Sequence, residues 1–186
     1  MSRRLMLRNE SGGGGTLPPE YQQVEWIGYQ GLFNFLVLPV KWDSDEIHAK
    51  IAKLSVPSGR SVFPSAFNLD KTLALNPWGS IETSGSRNTS VSPVVSISDT
   101  FDFTNFVITF SEIASNDQNF YLGFGYNGDA FCPKLRFQEI EVYKNSDLVF
   151  KAIMCYRKAD GKIGIYDTVS NEFYESSGTW EKGADV

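Results

Sequence analysis

From residue 17 onward the chain is a succession of short apolar segments, each closed within a few residues by Gly, Pro, Asn, Asp or Ser. The segments read VEWIG, LFNFLVLPV, SVFPSAFN, TLALNP, SIETSG, VVSISD, NFVITF, FYLGFGY, LRFQEIEVY, LVFKAIMCYR, KIGIYD and EFYES. A buried helix needs roughly 10–12 residues of 3.6-residue periodicity, and these runs are too short and too often interrupted to supply it. Short strands joined by turns are the remaining option, and many of them in series predict an all-β, antiparallel β-sandwich. The 186 residues are 41% hydrophobic and 14% aromatic, enough to bury the core of one such domain.

One window carries both periods. In DSDEIHAKIAKL (Asp43 to Leu54), Ile47, Ile51 and Leu54 follow helix spacing behind the N-cap candidates Asp43 and Ser44, whereas Ile47, Ala49 and Ile51 alternate as in a strand. We read it as a strand.

The densest turn chemistry lies in Phe150 to Gly178, FKAIMCYRKADGKIGIYDTVSNEFYESSG. Asp160-Gly161 predicts a tight hairpin turn at positive φ between Met154–Lys158 and Lys162–Tyr166. Ile163 and Ile165 alternate with Gly164 and Tyr166, and a second turn at VSNE leads into a third strand. The segment is therefore expected to be one antiparallel meander.

The net charge is −5, without a run of like charges that would favour nucleic acid, so no nucleic-acid partner is expected. Arg3, Arg4 and Arg8 against Glu10 give the first ten residues +3 − 1 = +2, leaving −7 for the rest. The apolar part of this terminus, Leu5-Met6-Leu7, is short of the roughly 7 to 15 residues of a secretory signal. Behind it, SGGGGT sets Gly12, Gly13, Gly14 and Gly15 in a row, a composition that stays flexible. Residues 1–10 are read as an anchoring arm, 11–16 as a hinge and 17–186 as the domain; the alternative is a loose terminus. The longest apolar run, LFNFLVLPV, falls well below the roughly 20 residues of a membrane helix, so no membrane partner is expected.

Candidate chemistry is sparse. Glu139 and Glu141 stand at i, i+2 on a strand and face the same way, as a glycosidase pair would, but Tyr143 occupies the next same-face position and a solvated face is the plainer reading. His48 is the single histidine and Cys132 and Cys155 are the two cysteines, so neither a zinc site nor a nucleophilic triad assembles. The cysteines are expected to be buried reduced thiols. Trp78 and Trp42 are candidates for glycan or oligomer contact, alongside the ordinary reading of core tryptophans.

The order apolar strand, Cys, Tyr-Arg-Lys, x-Asp-Gly, Ile-Gly-Ile-Tyr-Asp, turn, Phe-Tyr resembles the closing segment of concanavalin A-like, laminin-G-like jelly-roll modules found in bacteriophage tail, fibre and head-decoration proteins. EIEVYKNSDLVF (Glu139 to Phe150) is similar to the strand, Asn-centred turn and strand preceding it, and LPPEYQQVEWI (Leu17 to Ile27) to the family's opening. After Ile27 the chain departs from the family's polar stretch, keeping only Gly31 in register. The resemblance implies a concanavalin A-like jelly roll with an N-terminal extended arm, and a non-enzymatic virion structural protein: a head fibre, decoration or tail-fibre component. Arg3, Arg4, Leu5, Met6, Leu7 and Arg8 would attach it to capsid, portal or tail proteins. It further implies a homo-oligomer and, as the alternative function, a carbohydrate-binding adhesin that recognises a host glycan. No cofactor is expected; structural calcium, which such modules sometimes hold on dispersed loop oxygens, would draw on Asp99, Asp102, Asp117 and Asp129.

Overall fold

The computed structural model describes residues 16–29, 34–41, 46–54, 61–62, 65–66, 73–75, 81–83, 89–93, 100–110, 119–122 and 134–186. Among them there is no helix. The strands are β1 (Tyr21–Gln23), β2 (Ile27–Tyr29), β3 (Leu36–Lys41), β4 (Glu46–Lys53), β5 (Ser61–Val62), β6 (Ser65–Ala66), β7 (Leu73–Leu75), β8 (Ile81–Thr83), β9 (Thr89–Ser92), β10 (Phe101–Phe110), β11 (Asn119–Leu122), β12 (Leu135–Lys144), β13 (Asp147–Arg157), β14 (Ile163–Asp167), β15 (Glu172–Glu175) and β16 (Trp180–Lys182). The described part of the chain is thus all-β, and its main body is an open antiparallel sheet in the order β15-β14-β13-β12-β4-β10-β9, with β1 on β13 and β2 between β12 and β16. Two three-stranded sheets, β3-β11-β6 and β5-β7-β8, complete it.

The ambiguous window resolves as strand over Glu46–Lys53. Ile47, Ala49 and Ile51 turn inward while Glu46, His48 and Lys50 alternate with them, and Leu54, which helix spacing would bury, is 41% exposed. Pairing decided the outcome. β4 has β10 on one edge and β12 on the other, so its backbone groups are satisfied by neighbours as a strand.

Inward residues of the large sheet, including Ile108, Phe137, Ile140, Val142, Phe150 and Ile165, share one apolar core with Leu36, Leu38 and Val40 of β3 and Leu122 of β11. Asn34, at the entry to β3, is buried and its Oδ1 accepts the backbone N–H of Thr179 at 2.9 Å, tying β3 to the closing segment.

The meander forms as expected over β13, β14 and β15, with its second turn where VSNE placed it, but its first turn takes another form. The two-residue hairpin belongs to Asn145 (φ 50°) and Ser146 (φ 68°), between Lys144 and Asp147, where both central residues take the positive φ of a tight primed turn. At Asp160-Gly161 the expectation needs correction. The strands stop at Arg157 and Ile163, the loop is longer than two residues, and of the pair only Gly161 has positive φ, at 72°. The Gly161 N–H donates to the Arg157 carbonyl at 2.8 Å, closing a wider turn. Asp160 holds the loop through its side chain instead: it accepts from Arg157 Nε at 3.0 Å and Nη2 at 2.6 Å and from the Lys162 N–H at 3.2 Å.

The second turn is built on the buried Asp167, whose carboxylate accepts the backbone N–H groups of Lys151 (3.0 Å), Val169 (3.0 Å) and Ser170 (3.1 Å). A buried carboxylate persists only when it is so satisfied. Here it replaces the ladder partners that the chain loses as it turns.

Candidate functional site

Alternation on β4, β12 and β10 places a polar array on the outer face of the large sheet. Glu141 lies opposite His48, Glu139 opposite Lys50 and Tyr143 opposite Glu46. Glu141 Oε1 meets Lys151 Nζ at 2.9 Å, and Glu141 Oε2 accepts the Tyr143 hydroxyl at 2.7 Å. The imidazole of His48 is hydrogen-bonded to the Glu46 carboxylate and lies 4.8 Å from the Tyr143 ring, centroid to centroid. Thr109 on β10 donates to the other Glu46 oxygen at 3.5 Å. Lys50 and Glu139 pair at 3.6 Å.

Two of the carboxylates on this face are paired with lysines, Glu139 with Lys50 and Glu141 with Lys151. Partial burial opposes ionisation of Glu141, but the hydrogen bonds from Lys151 and Tyr143 outweigh it, and its carboxyl is held below the ordinary value. A glycosidic general acid needs the reverse shift, kept protonated near neutrality. Glu139 and Glu141 do share a face, as the spacing predicts, although a bulge between Phe137 and Glu139 sets where that face begins.

A second cluster lies on the outer face of the closing meander. Gly164 and Cys155 are opposite each other on β14 and β13, with Gln23 of β1 and Glu175 of β15 flanking them. Across these small residues the rings of Tyr21 and Phe173 reach over and stack, with centroids 4.8 Å apart and planes 25° apart, and Tyr21 also meets Tyr166 at 5.6 Å. A β-carbon on Gly164 would stand 2.2 Å from the Tyr174 carbonyl and 2.7 Å from the Phe173 ring, so this close approach requires glycine. Cys155 beneath is buried and free, and burial pushes its thiol up to about 12. It is a reduced core thiol with its reactive form suppressed.

At the end of the sheet where β13 finishes, Arg157 joins Asp160 (2.6 Å) and Glu175 (3.0 Å), and Lys162 also reaches Glu175, at 3.4 Å. Domain entry is fixed at the same place. Lys158 Nζ donates to the Pro19 carbonyl at 2.8 Å and the Lys158 N–H to the Glu20 carbonyl at 2.9 Å.

Of the residues singled out in the sequence, Asp160 and Gly161 stand at this end. Asp102 is exposed, with its carboxylate accepting the Phe103 N–H at 2.8 Å. Arg3, Arg4, Leu5, Met6, Leu7, Arg8, Gly12, Gly13, Gly14, Gly15, Trp42, Trp78, Asp99, Asp117, Asp129 and Cys132 lie outside the described residues. Among the described residues no group of three or more His, Cys, Asp or Glu is arranged to hold a metal ion, and no helix is long and apolar enough to cross a membrane. The two described tryptophans are structural. Trp180 is buried, with its indole N–H on the Ser177 carbonyl at 3.0 Å, and Trp26 is covered by the Arg136 guanidinium at 3.8 Å from its ring centroid.

Sequence reasoning missed the His48–Glu46–Tyr143–Glu141 array and the Tyr21–Phe173 cover. The first had a signal, the alternation Glu46, His48, Lys50. The second had none, because Tyr21 and Phe173 are brought together only by the pairing of β1 with β13. No protein-family model, curated protein or solved structure matches the chain.

Proposed function

We propose that this protein is a non-enzymatic structural component of a bacteriophage particle, a head fibre, decoration or tail-fibre protein that displays a jelly-roll sandwich and is held to the particle by residues 1–10. Arg3, Arg4 and Arg8 flank Leu5, Met6 and Leu7, a pattern suited to docking in a groove or adding to a sheet edge. The observation that carries the reading is the way the root of this arm is secured. Residues 21–24 are held on one side by β13, through Tyr21–Arg157, Gln22–Tyr156 and Gln23–Cys155 pairing and the Val24 N–H on Met154 O at 2.9 Å. On the other side the Val186 N–H donates to the Gln23 carbonyl at 3.0 Å and the Glu25 N–H to the Ala184 carbonyl at 3.0 Å. A load on the arm therefore passes into the whole sheet through hydrogen bonds on both edges of one strand.

Deleting residues 1–10 is expected to leave a folded domain that no longer copurifies with phage particles. Truncated protein retained at full occupancy would sink the attachment reading. The His48 and Tyr143 rings, set among carboxylates on an outer face, favour as a second reading a carbohydrate-binding adhesin; retention of wild-type protein on a host polysaccharide array, lost in Tyr143→Ala, would support it.

A further inference from the structure

We infer that residues 183–186 form a strap that opens locally from the strand edge of residues 23–25 opposite β13, with the Asp185 carboxylate as its latch. The strap is a conformational device of the domain itself, independent of how the protein is attached or what it displays.

Residues 21–25 are held on two edges. On one, β13 pairs with Tyr21–Gln23, and the Val24 N–H donates to the carbonyl of the buried Met154 at 2.9 Å. On the other, residues 183–186 run antiparallel to the chain, with Asp185 opposite Val24. The Gly183 N–H donates to the Trp26 carbonyl at 2.9 Å, the Glu25 N–H to the Ala184 carbonyl at 3.0 Å and the Val186 N–H to the Gln23 carbonyl at 3.0 Å. What backs these bonds differs between the edges. Ala184, Asp185 and Val186 are exposed, Val186 at 69%, and Gly183 has no side chain, so no side chain of the strap is buried. Just before it, β16 is anchored by the buried Trp180 and by Glu181, which meets Arg136 at 3.3 Å. Exposed backbone hydrogen bonds with little apolar burial are the first to open in a fold, so the break falls at Gly183.

Beyond its backbone the strap is held by polar groups. Asp185 Oδ1 meets Lys182 Nζ at 2.7 Å and Asp185 Oδ2 accepts the Tyr156 hydroxyl at 3.2 Å, while Lys182 Nζ lies 4.7 Å from the Tyr156 ring centroid. Tyr156 is half-buried on β13 and packs against the core, so Asp185 ties the strap to a fixed point. Gln22 Nε2 donates to the Val186 carbonyl at 3.1 Å, and the Ala184 N–H to the Glu25 carboxylate at 3.4 Å. The groups facing Asp185 are Lys182 on its own segment, Tyr156 on β13 and Lys158 just beyond it, with Glu25 beside Ala184; the hydrogen bond from Lys182 first, then that from Tyr156, holds the Asp185 carboxyl below its ordinary value. A depressed carboxyl contributes stability above the unfolded range and loses it as pH falls through the folded value, so acid releases the latch. Release leaves the Gln23 carbonyl and the Glu25 N–H as an unpaired strand edge, a template for pairing with another extended chain.

Amide hydrogen exchange of the full chain, followed residue by residue by NMR, tests this, because Val24 and Glu25 are neighbours whose N–H groups report on opposite edges. Protection at Glu25 and Val186 should fall well below that at Val24. Asp185→Asn should lower protection at Glu25 and Val186 about two- to five-fold, the effect of losing one exposed ion pair, and leave Val24 unchanged. With intrinsic exchange rates divided out, acidification should lower the same two amides in the wild type and not in Asp185→Asn. Glu25 as well protected as Val24 in the wild type would show that the strap opens only with the whole domain, and overturns the inference. Unchanged protection in Asp185→Asn, or an equal loss at Val24, overturns Asp185 as the latch.

Discussion

Gly161 and Gly164 stand three residues apart in one hairpin and are constrained by different physics. Gly161 has positive φ and nothing within 4 Å of its would-be β-carbon, so substitution there meets backbone strain alone. Gly161→Val should lower stability by about 1–2 kcal/mol, the cost of a left-handed conformation for an L-residue. Gly164 is limited by space, with the Tyr174 carbonyl 2.2 Å from where a β-carbon would sit. Gly164→Ala must push β15 away and should cost more, roughly 2–3 kcal/mol. Urea midpoints measured side by side should rank the two in that order; the reverse order would show that β15 does not press on Gly164 through the Tyr174 carbonyl.

Between strands, the sheet's outer face and its closing meander each make a distinct expectation. Glu141 is held below its ordinary carboxyl value by Lys151 and Tyr143 acting against partial burial. A depressed folded-state value means that the extra stability is present above the unfolded carboxyl range and is lost as pH falls through the folded value. The melting temperature of Glu141→Gln should therefore lie below wild type at neutral pH, and the gap should close on acidification; a gap independent of pH would detach the effect from ionisation. In the meander, the Tyr21 ring, on β1 directly beside β13, stacks on Phe173 of β15 across the small pair Cys155 and Gly164. Tyr21→Ala should leave the domain folded and make Cys155 measurably more reactive to a small thiol reagent, since exposure lowers the desolvation that suppresses the thiolate. Unchanged reactivity at Cys155 would mean that β13 and β14 alone seal it.

At the scale of the whole molecule, residues 1–10 and the remainder differ in charge, +2 against −7. If docking uses that charge, Arg3/Arg4→Glu should weaken particle association, and added salt should weaken wild-type association in the same direction, because exposed charges are screened within about 10 Å at 0.1 M ionic strength. Particle occupancy of the wild type that does not change with salt would place the attachment energy in Leu5, Met6 and Leu7.

Strand character was legible wherever one face is buried and the chain is punctuated. β12 follows from alternation and β13 from a short apolar run closed by turn residues, both local properties, whereas the turn at Asn145 is legible only through the resemblance of EIEVYKNSDLVF. At Asp43 to Leu54 locality fails, since Ile47 and Ile51 suit both periods; pairing with β10 and β12 chose the strand and left Leu54 outside. The loop at Asp160-Gly161 was foreseen in place but not in form: its length depends on where the Arg157–Asp160–Glu175 ion network ends the strands, and Glu175 comes from another strand. Glu139 and Glu141 on one face follow from spacing, whereas their partners Lys50 and Lys151 follow only from register. Local periodicity thus determined which residues turn inward. Register, a long-range property set by the buried face, decided which outward residues meet, and so made the Glu46–His48–Tyr143–Glu141 array and the Tyr21–Phe173 cover.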